Sequence, residues 1–416
     1  RWTILLVVIL ILLPFISTQA LLLLGNKSLE NISSHLDKRD FDKARKSAGF
    51  AKNYFSIADK TSTLLAFEIR FAAKDLMQNT QHSIDRGNSK ALGASNLLSG
   101  INSMDVPSIK TGLIYLQKEN VEFPLLKFAS DTINIWPELL GFKNTKTYLI
   151  LPQDNGVLRP GGGVISSYAL VTLKKGKIEN FKEEKVSAVD NNLKGRVEPP
   201  FPIRRYTLSK NWGLRDSNFN VDFLQIASSS AFFLNLGKDQ NVDGVIGMES
   251  KLFSKLKNQK TNNSFLTLLK NLEEALNSKD LTFAFNNPSL QNIFAVNNWS
   301  AALSDNRAED EKTANDFLGV IDSNLGNSTN KLVEKKVTQN TKINGEGSIS
   351  SLLSVNYENK ENSEYKNYLR LILPLDSKIS EIKIDGKSQN IVDAITSSQD
   401  YEAKDFEAPV GLELEE

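Results

Sequence analysis

Residues Thr3 to Leu24 read TILLVVILILLPFISTQALLLL, a run without one charged side chain. No other stretch of the chain constrains it as strongly. As a helix rising ~1.5 Å per residue the run would reach ~33 Å, enough to cross a hydrocarbon core of ~30 Å. A helix is the form such a run must take in lipid, because it satisfies its own backbone groups there. Pro14 would kink that helix without ending it. A cleavable signal peptide is the competing reading, since Thr18-Gln19-Ala20 loosely fits a small-x-small cleavage site, yet Leu21 to Leu24 carry the apolar run past that point. The expectation is a single-pass anchor over 1–26. Because the sequence opens on Arg1 and not on Met, a segment before Arg1 is also expected.

Orientation is not set by charge alone. Residues 27–60 hold eight Lys/Arg against five Asp/Glu, with only Arg1 ahead of the run, a bias that would place the following residues inside. Long domains translocate largely regardless of such bias.

With 416 residues and 40% hydrophobic side chains, the chain can bury a sizeable core in two or three domains. Lys+Arg number 50 and Asp+Glu 49, so no global field attracts nucleic acid. There is no cysteine, which excludes disulfides, thiol catalysis, iron–sulfur clusters and cysteine-ligated zinc. The two histidines, His35 and His82, stand in separate polar helical stretches and suggest neither a metal centre nor a catalytic triad.

After the run, Leu36, Phe41, Ala44, Ala48, Ala51, Phe55 and Ala58 recur at helical spacing. Further helices are expected at 62–82, 87–103 and 108–121. Together they form a helical stalk over 27–140. Arg39-Asp40-Phe41-x-x-Ala44 also fits one hairpin of a tetratricopeptide repeat, but a lone unit lacks neighbours to bury its faces.

From Thr147 the period changes. Strands are expected at 147–151, 164–173, 242–248 and 281–285. Helices are expected at 222–236, with Asp222 as N-cap, at 266–276, and at 288–296, with Pro288 in the first turn. Such alternation implies an α/β sheet domain over 141–312. Four strand-like stretches between Phe317 and Leu373, without helices between them, suggest a small β-sandwich module over 313–392. The tail, 393–416, has eight acidic residues against Lys404 alone and should be solvated.

Two segments hold the candidate chemistry. The first runs Arg159-Pro160-Gly161-Gly162-Gly163, a glycine turn between two strands. Two roles are open to Arg159: to bind a phosphate or carboxylate together with free N–H groups of the turn, or to pair with a carboxylate at the same sheet end. At least one of the three glycines should lie at positive φ. The second segment, Leu214 to Phe223, places Arg215, Asp216 and Asp222 just before a helix. The arginine suits an anion and the two aspartates suit Mg²⁺; capping plus an Arg–Asp pair is the alternative.

Taken together, Asn155 to Pro160, Gly162 to Tyr168, Pro199-Pro200, Leu214 to Phe223 and Val242 to Val245 resemble a family of uncharacterised bacterial surface proteins, domain of unknown function 4012. Asp322-x-Asn324-x-Gly326 and Tyr365-x-Asn367-Tyr368-x-Arg370 are similar as well. Val164 and Ser166 depart from the family's aromatic and glycine. The resemblance implies an N-terminal anchor in a bacterial cytoplasmic membrane and an extracytoplasmic body, with a wall polymer or another envelope protein as partner. It implies no established activity. A weaker likeness, to the LytR-CpsA-Psr family, implies a transferase that moves glycopolymers from a polyprenyl pyrophosphate. In that reading Arg159 and Arg215 hold the pyrophosphate and Asp216 and Asp222 hold Mg²⁺; otherwise no cofactor is expected. The family's Ser-x-Pro-Arg-Asp stretch is missing here.

Overall fold

The structure is a computed structural model. It describes residues 2–64, 74–121, 126–207, 209–257, 265–303, 318–326, 329–345, 347–360, 364–373 and 377–389, without the side chains of 2–12, 126–127 and 265–269. The expected acidic tail lies outside these residues. The chain is mixed α/β and divides into two compact units. One comprises Arg1–Asn144 with Asn258–Ser278; the other comprises Thr145–Lys257 with Lys279–Glu416.

The first unit is helical. Helix α1 (Trp2–Asp37) continues through Pro14 and ends where Arg39 takes φ 58°. Asp40 then caps α2 (Phe41–Thr63), its side chain accepting from the Lys43 N–H at 3.0 Å. Helix α3 (Lys74–Ser103) runs unbroken where the sequence suggests two helices, and α4 (Val106–Lys118) and α5 (Leu126–Thr132) follow. The helix Phe265–Ser278 belongs to this unit.

The small residues read from the sequence do face inward. Ala44, Ala48, Ala51 and Ala58 are fully buried, as is Phe55 between them. The Phe55 ring lies in a slot formed by two glycines: a Cβ on Gly25 of α1 would stand 2.8 Å from it, and one on Gly87 of α3 only 2.2 Å. Glycine at these sites lets three helices close on one aromatic ring. Thr18 is also fully buried, its hydroxyl 2.8 Å from that of Thr61, and Gln19 donates to Thr80 at 3.2 Å. Among the described residues no helix is long and apolar enough to cross a membrane.

The second unit is built on one twisted sheet. Its strands are β1 (Lys146–Asp154), β2 (Val164–Ile165), β3 (Ser167–Lys174), β4 (Lys177–Lys185), β5 (Gly244–Glu249) and β6 (Leu281–Phe285). They run in the order β4-β3-β1-β5-β6, with β2 paired to the end of β1. Only β1 and β5 are parallel. The single expected strand over 164–173 is thus two, parted at Ser166. Lys175 and Gly176, at φ 50° and 74°, make the tight turn between β3 and β4.

Helix α6 (Phe223–Lys238) covers one face of the sheet, packing Phe223, Ile226, Ala227, Phe233 and Leu234 into a core with Leu149, Leu151, Val245 and Ala284. Helices α7 (Ser250–Lys257) and α8 (Pro288–Val296) follow β5 and β6, and α8 begins at the proline expected in its first turn.

Where the sequence suggests a β-sandwich, the described strands pair two by two. β7 (Gly319–Asn324) pairs with β10 (Asn367–Ile372), and β8 (Val333–Ile343) with β9 (Ile349–Asn359); a short pair, β11 (Lys383–Ile384) and β12 (Lys387–Ser388), follows. The alternation that predicts strands is present, but most of β8 and β9 is exposed, so no second layer is packed on it by the described residues.

The glycine slot yields a paired prediction. Gly87→Ala should cost about 1–3 kcal/mol by overpacking against Phe55, although alanine is the better helix former by about 1 kcal/mol. Gly49→Ala, with nothing within 4 Å of the added carbon, should instead stabilise by about 0.5–1 kcal/mol. Equilibrium denaturation of the two variants checks this, and equal stabilisation of both would show that Phe55 is free to move.

Candidate functional site

Side chains alternate along a strand, so residues two apart share a face. On β1, Leu149 and Leu151 point into the α6 core, and the next residue in that row is Gln153. On β5 the same row is Val245, Gly247, Glu249, and on β6 it is Ala284, Thr282, with Asp280 just before the strand. Register aligns Gln153 with Glu249, and the Glu249 N–H donates to the Asp280 carbonyl at 2.8 Å. The sheet face that is apolar at its middle therefore ends in a row of three polar side chains, Gln153, Glu249 and Asp280.

A cavity of about 250 Å³ stands over that row, at the carboxyl ends of the parallel pair. It is lined by Pro160, Gly161 and Gly162 of the glycine turn and by Val221, Phe223 and Ile226. Gly247 leaves room for Phe223, since a Cβ there would lie 2.6 Å from the ring.

The glycine turn is built by close approach. Gly162 has φ +125°, the positive value expected for at least one of the three, and a Cβ on it would also meet the Gln153 Oε1 at 2.6 Å. A Cβ on Gly163 would fall 2.2 Å from the Asp154 carbonyl carbon and oxygen, and one on Gly161 would fall 2.3 Å from Ile226. The N–H groups of Gly161 and Gly162 donate to the carbonyls of Asn218 and Arg159, at 3.1 and 2.9 Å. The Asn218 side-chain amide donates in turn to the Gly163 carbonyl.

Arg159 is paired within the protein. The side chain is 8% exposed; its Nε stands 3.1 Å from the Asp216 carboxylate, and one terminal nitrogen donates to the carbonyls of Leu158 (3.1 Å) and Asn324 (2.5 Å). Asp216 and Arg159 are therefore brought together, as partners of each other.

Arg215 is not gathered into this group. Its side chain is exposed, and its backbone N–H donates to Asp190 at 3.3 Å. Asp222 is buried and caps α6, accepting from the Leu224 N–H at 2.8 Å. Burial raises its carboxyl above the ordinary range, against the lowering effect of the Leu224 and Leu303 N–H groups. Among the described residues, no group of three acidic or histidine side chains could hold a metal ion.

Sequence reasoning missed Gln153, Glu249 and Asp280. A signal existed for the first: in Leu149-Ile150-Leu151-Pro152-Gln153 the amide stands in the position that period two assigns to the core. It also missed Asp190, which accepts from the Leu214 and Arg215 N–H groups and is raised, like Asp222, by burial.

Two outcomes follow from this geometry. Arg159→Ala strands a carboxylate and two carbonyls and should cost about 3–5 kcal/mol, with Arg159→Lys recovering only part because one ammonium cannot span the same three acceptors. Denaturant titration measures both, and an unmoved midpoint in Arg159→Ala would free this residue for a ligand.

For Asp222 the raised folded-state pKa means the native state holds the proton more tightly than the unfolded chain, whose value is near 3.8. Its stabilising contribution is then greatest at low pH and is lost as pH rises through the folded value. Asp222→Asn keeps a capping oxygen but does not titrate. The variant should therefore gain on the wild type as pH rises above about 3.8, until the folded-state carboxyl is ionised. A stability gap independent of pH would refute this.

No curated protein and no solved structure matches the chain. A family model does match, over residues 143–261, which carry β1 to β5, the glycine turn, the Arg159–Asp216 pair and α6. Over these residues the chain is similar to the family described as "Protein of unknown function (DUF4012)".

Proposed function

We propose that this chain is a cell-envelope protein of a bacterial cytoplasmic membrane, anchored by its first helix, with an extracytoplasmic body that binds and does not catalyse. The observation that carries the anchor is the uncharged run Thr3–Leu24 of the sequence, whose part before Leu13 lies outside the described side chains and which at ~1.5 Å per residue would reach across a bilayer. The outward side of α1 supports it: Leu13, Ile16, Leu23 and Leu24 are exposed, spaced as one helical stripe. Leu64 and Leu76, at the neighbouring ends of α2 and α3, are exposed as well.

The binding role rests on the cavity over Gln153, Glu249 and Asp280. Its polar groups converge at the carboxyl ends of parallel strands, where open α/β sheets place ligands. A glycopolymer transferase of the LytR-CpsA-Psr kind is the alternative reading. It would need Arg159 for a pyrophosphate, and that guanidinium already has a carboxylate and two carbonyls.

Fractionation tests the anchor. The full chain should stay with membranes through alkaline carbonate washing, and protease added to intact protoplasts should remove the body. Deletion of residues 2–17 should release the chain to the soluble fraction. Recovery of the full chain as a soluble protein, or complete protection from protease until lysis, would overturn the proposal. A thermal midpoint raised by Mg²⁺ with a polyprenyl-pyrophosphate analogue would favour the transferase.

A further inference from the structure

The cavity at the end of the β1–β5–β6 row has a chemistry of its own, and what it can hold follows from which groups are already spent. The glycine turn offers little to an anion: the Gly161 and Gly162 N–H groups donate to protein carbonyls, and the nearby Arg159 is paired. Two of the side chains that line the cavity, Glu249 and Asp280, are carboxylates; Glu249 accepts from the Asn155 amide at 3.3 Å and stands 3.5 Å from the Lys251 ammonium, and since a carboxylate offers about four acceptor positions both suit a donor better than an anion. Lys279, the one cation in the lining, donates to the Asn298 carbonyl.

Gln153 supplies the opposite demand. Its side chain is 8% exposed and lines the cavity, and its Nε2 has no hydrogen-bond partner among the described residues. A buried donor left unmet is costly, and a side-chain amide turns readily about its last torsion to present either atom. An organic cation would leave this donor unmet. A hydroxyl both donates and accepts, so it can serve Glu249 or Asp280 and Gln153 at once. Val221 lines the cavity as well, with the buried Phe223 and Ile226 behind it, and gives apolar contact for the C–H groups of a ring. At about 250 Å³ the space accommodates one such ring.

We infer that the cavity over Gln153, Glu249 and Asp280 binds one ring of a neutral, polyhydroxylated ligand, a sugar, either free or as a unit of a longer glycan. This rests on the binding role proposed above and gives that role its ligand class. The carboxylates accept hydrogen bonds from hydroxyls, the Gln153 amide donates to a hydroxyl or ring oxygen, and Val221 meets the C–H groups.

The test uses the full chain in a detergent without a sugar head group. Thermal midpoint and saturation-transfer NMR are read with glucose, rhamnose, N-acetylglucosamine and chitotriose. Glucuronate, inorganic phosphate and choline serve as charged controls. At least one neutral sugar should raise the midpoint, and a stronger effect of chitotriose than of its monomer would identify a glycan as the source.

Gln153→Met removes the unmet donor at nearly constant volume. It should raise the midpoint of the unliganded protein while abolishing the sugar-dependent shift, a combination that a purely structural glutamine does not give. Glu249→Gln should weaken binding by about tenfold, the loss of one charge-assisted hydrogen bond. Absence of any signal from all four sugars, or undiminished binding by Gln153→Met, would overturn the inference. Binding of phosphate, glucuronate or choline in place of the sugars would overturn it too, but would leave the broader binding role standing.

Discussion

A guanidinium buried in a protein interior must find acceptors for its charge, and the way Arg159 finds them organises the second unit. Its three acceptors are the neighbouring Leu158 carbonyl and two groups distant in the chain, the Asp216 carboxylate and the Asn324 carbonyl. The Asn324 N–H returns to the Leu158 carbonyl at 3.0 Å, so the end of β7 and the turn after β1 hold each other. Asn218, two residues beyond Asp216, receives the Gly161 N–H on its carbonyl and donates its amide to Gly163. The turn that walls the cavity is thus clamped by the same short segment that neutralises the arginine. Burying a charge is costly unless it is paired and hydrogen-bonded, and here the partners that relieve that cost also set the loop geometry.

Asp322 plays a matching part on β7. Its carboxylate is 2.6 Å from the Lys335 ammonium and accepts from the Tyr357 hydroxyl at 2.5 Å and the Asn367 amide at 2.8 Å. Lys335 and Tyr357 face each other across β8 and β9, so one carboxylate ties the base of that hairpin to β7 and β10. An isolated two-stranded hairpin is marginal in water, which gives this anchorage its physical weight. Burial pushes the Tyr357 hydroxyl well above its ordinary range, helped by the Asp322 charge, and burial likewise lifts Tyr365 to about 12. Arg370 lies over the rings of Phe219 and Tyr368, at 5.3 and 5.6 Å, and adds another link between the late strands and the Leu214–Phe223 segment. The late motif residues act here as connectors.

Much of this was legible where the signal is local. Asp222 caps a helix because a carboxylate before an apolar periodic stretch is a local device, and Pro288 opens α8 for the same kind of reason. The positive φ at Gly162 follows from three glycines after a proline. What could not be read was the choice between two chemically equivalent partners for Arg159. A carboxylate 57 residues away and a carbonyl 165 residues away leave no periodic trace. The strand β4 went unread because its lysines and glutamates obscure the alternation; it is an exposed edge strand, where charges discourage pairing with other chains. The polar row over the cavity was hidden differently, each member looking like the ordinary polar end of a strand until register placed Gln153, Glu249 and Asp280 side by side.

Helix α1 shows the same limit in another form. Averaged along its length, Thr3–Leu24 is one apolar segment, but from Thr18 onward its two sides have different neighbours. Thr18, Leu22 and Gly25 face α2 and α3, where a hydroxyl pairs with Thr61, Leu22 joins the buried cluster and a missing Cβ admits Phe55. Ile16, Leu23 and Leu24 face outward and remain exposed. The inward side is explained by packing within the helical unit. The outward side is not, because no described residue buries it, and large apolar side chains in a stripe need some apolar surface to lie against. A count of hydrophobic residues cannot separate these two requirements. The helical period can, since it assigns Thr18, Leu22 and Gly25 to one side and Leu13, Ile16 and Leu23 to the other.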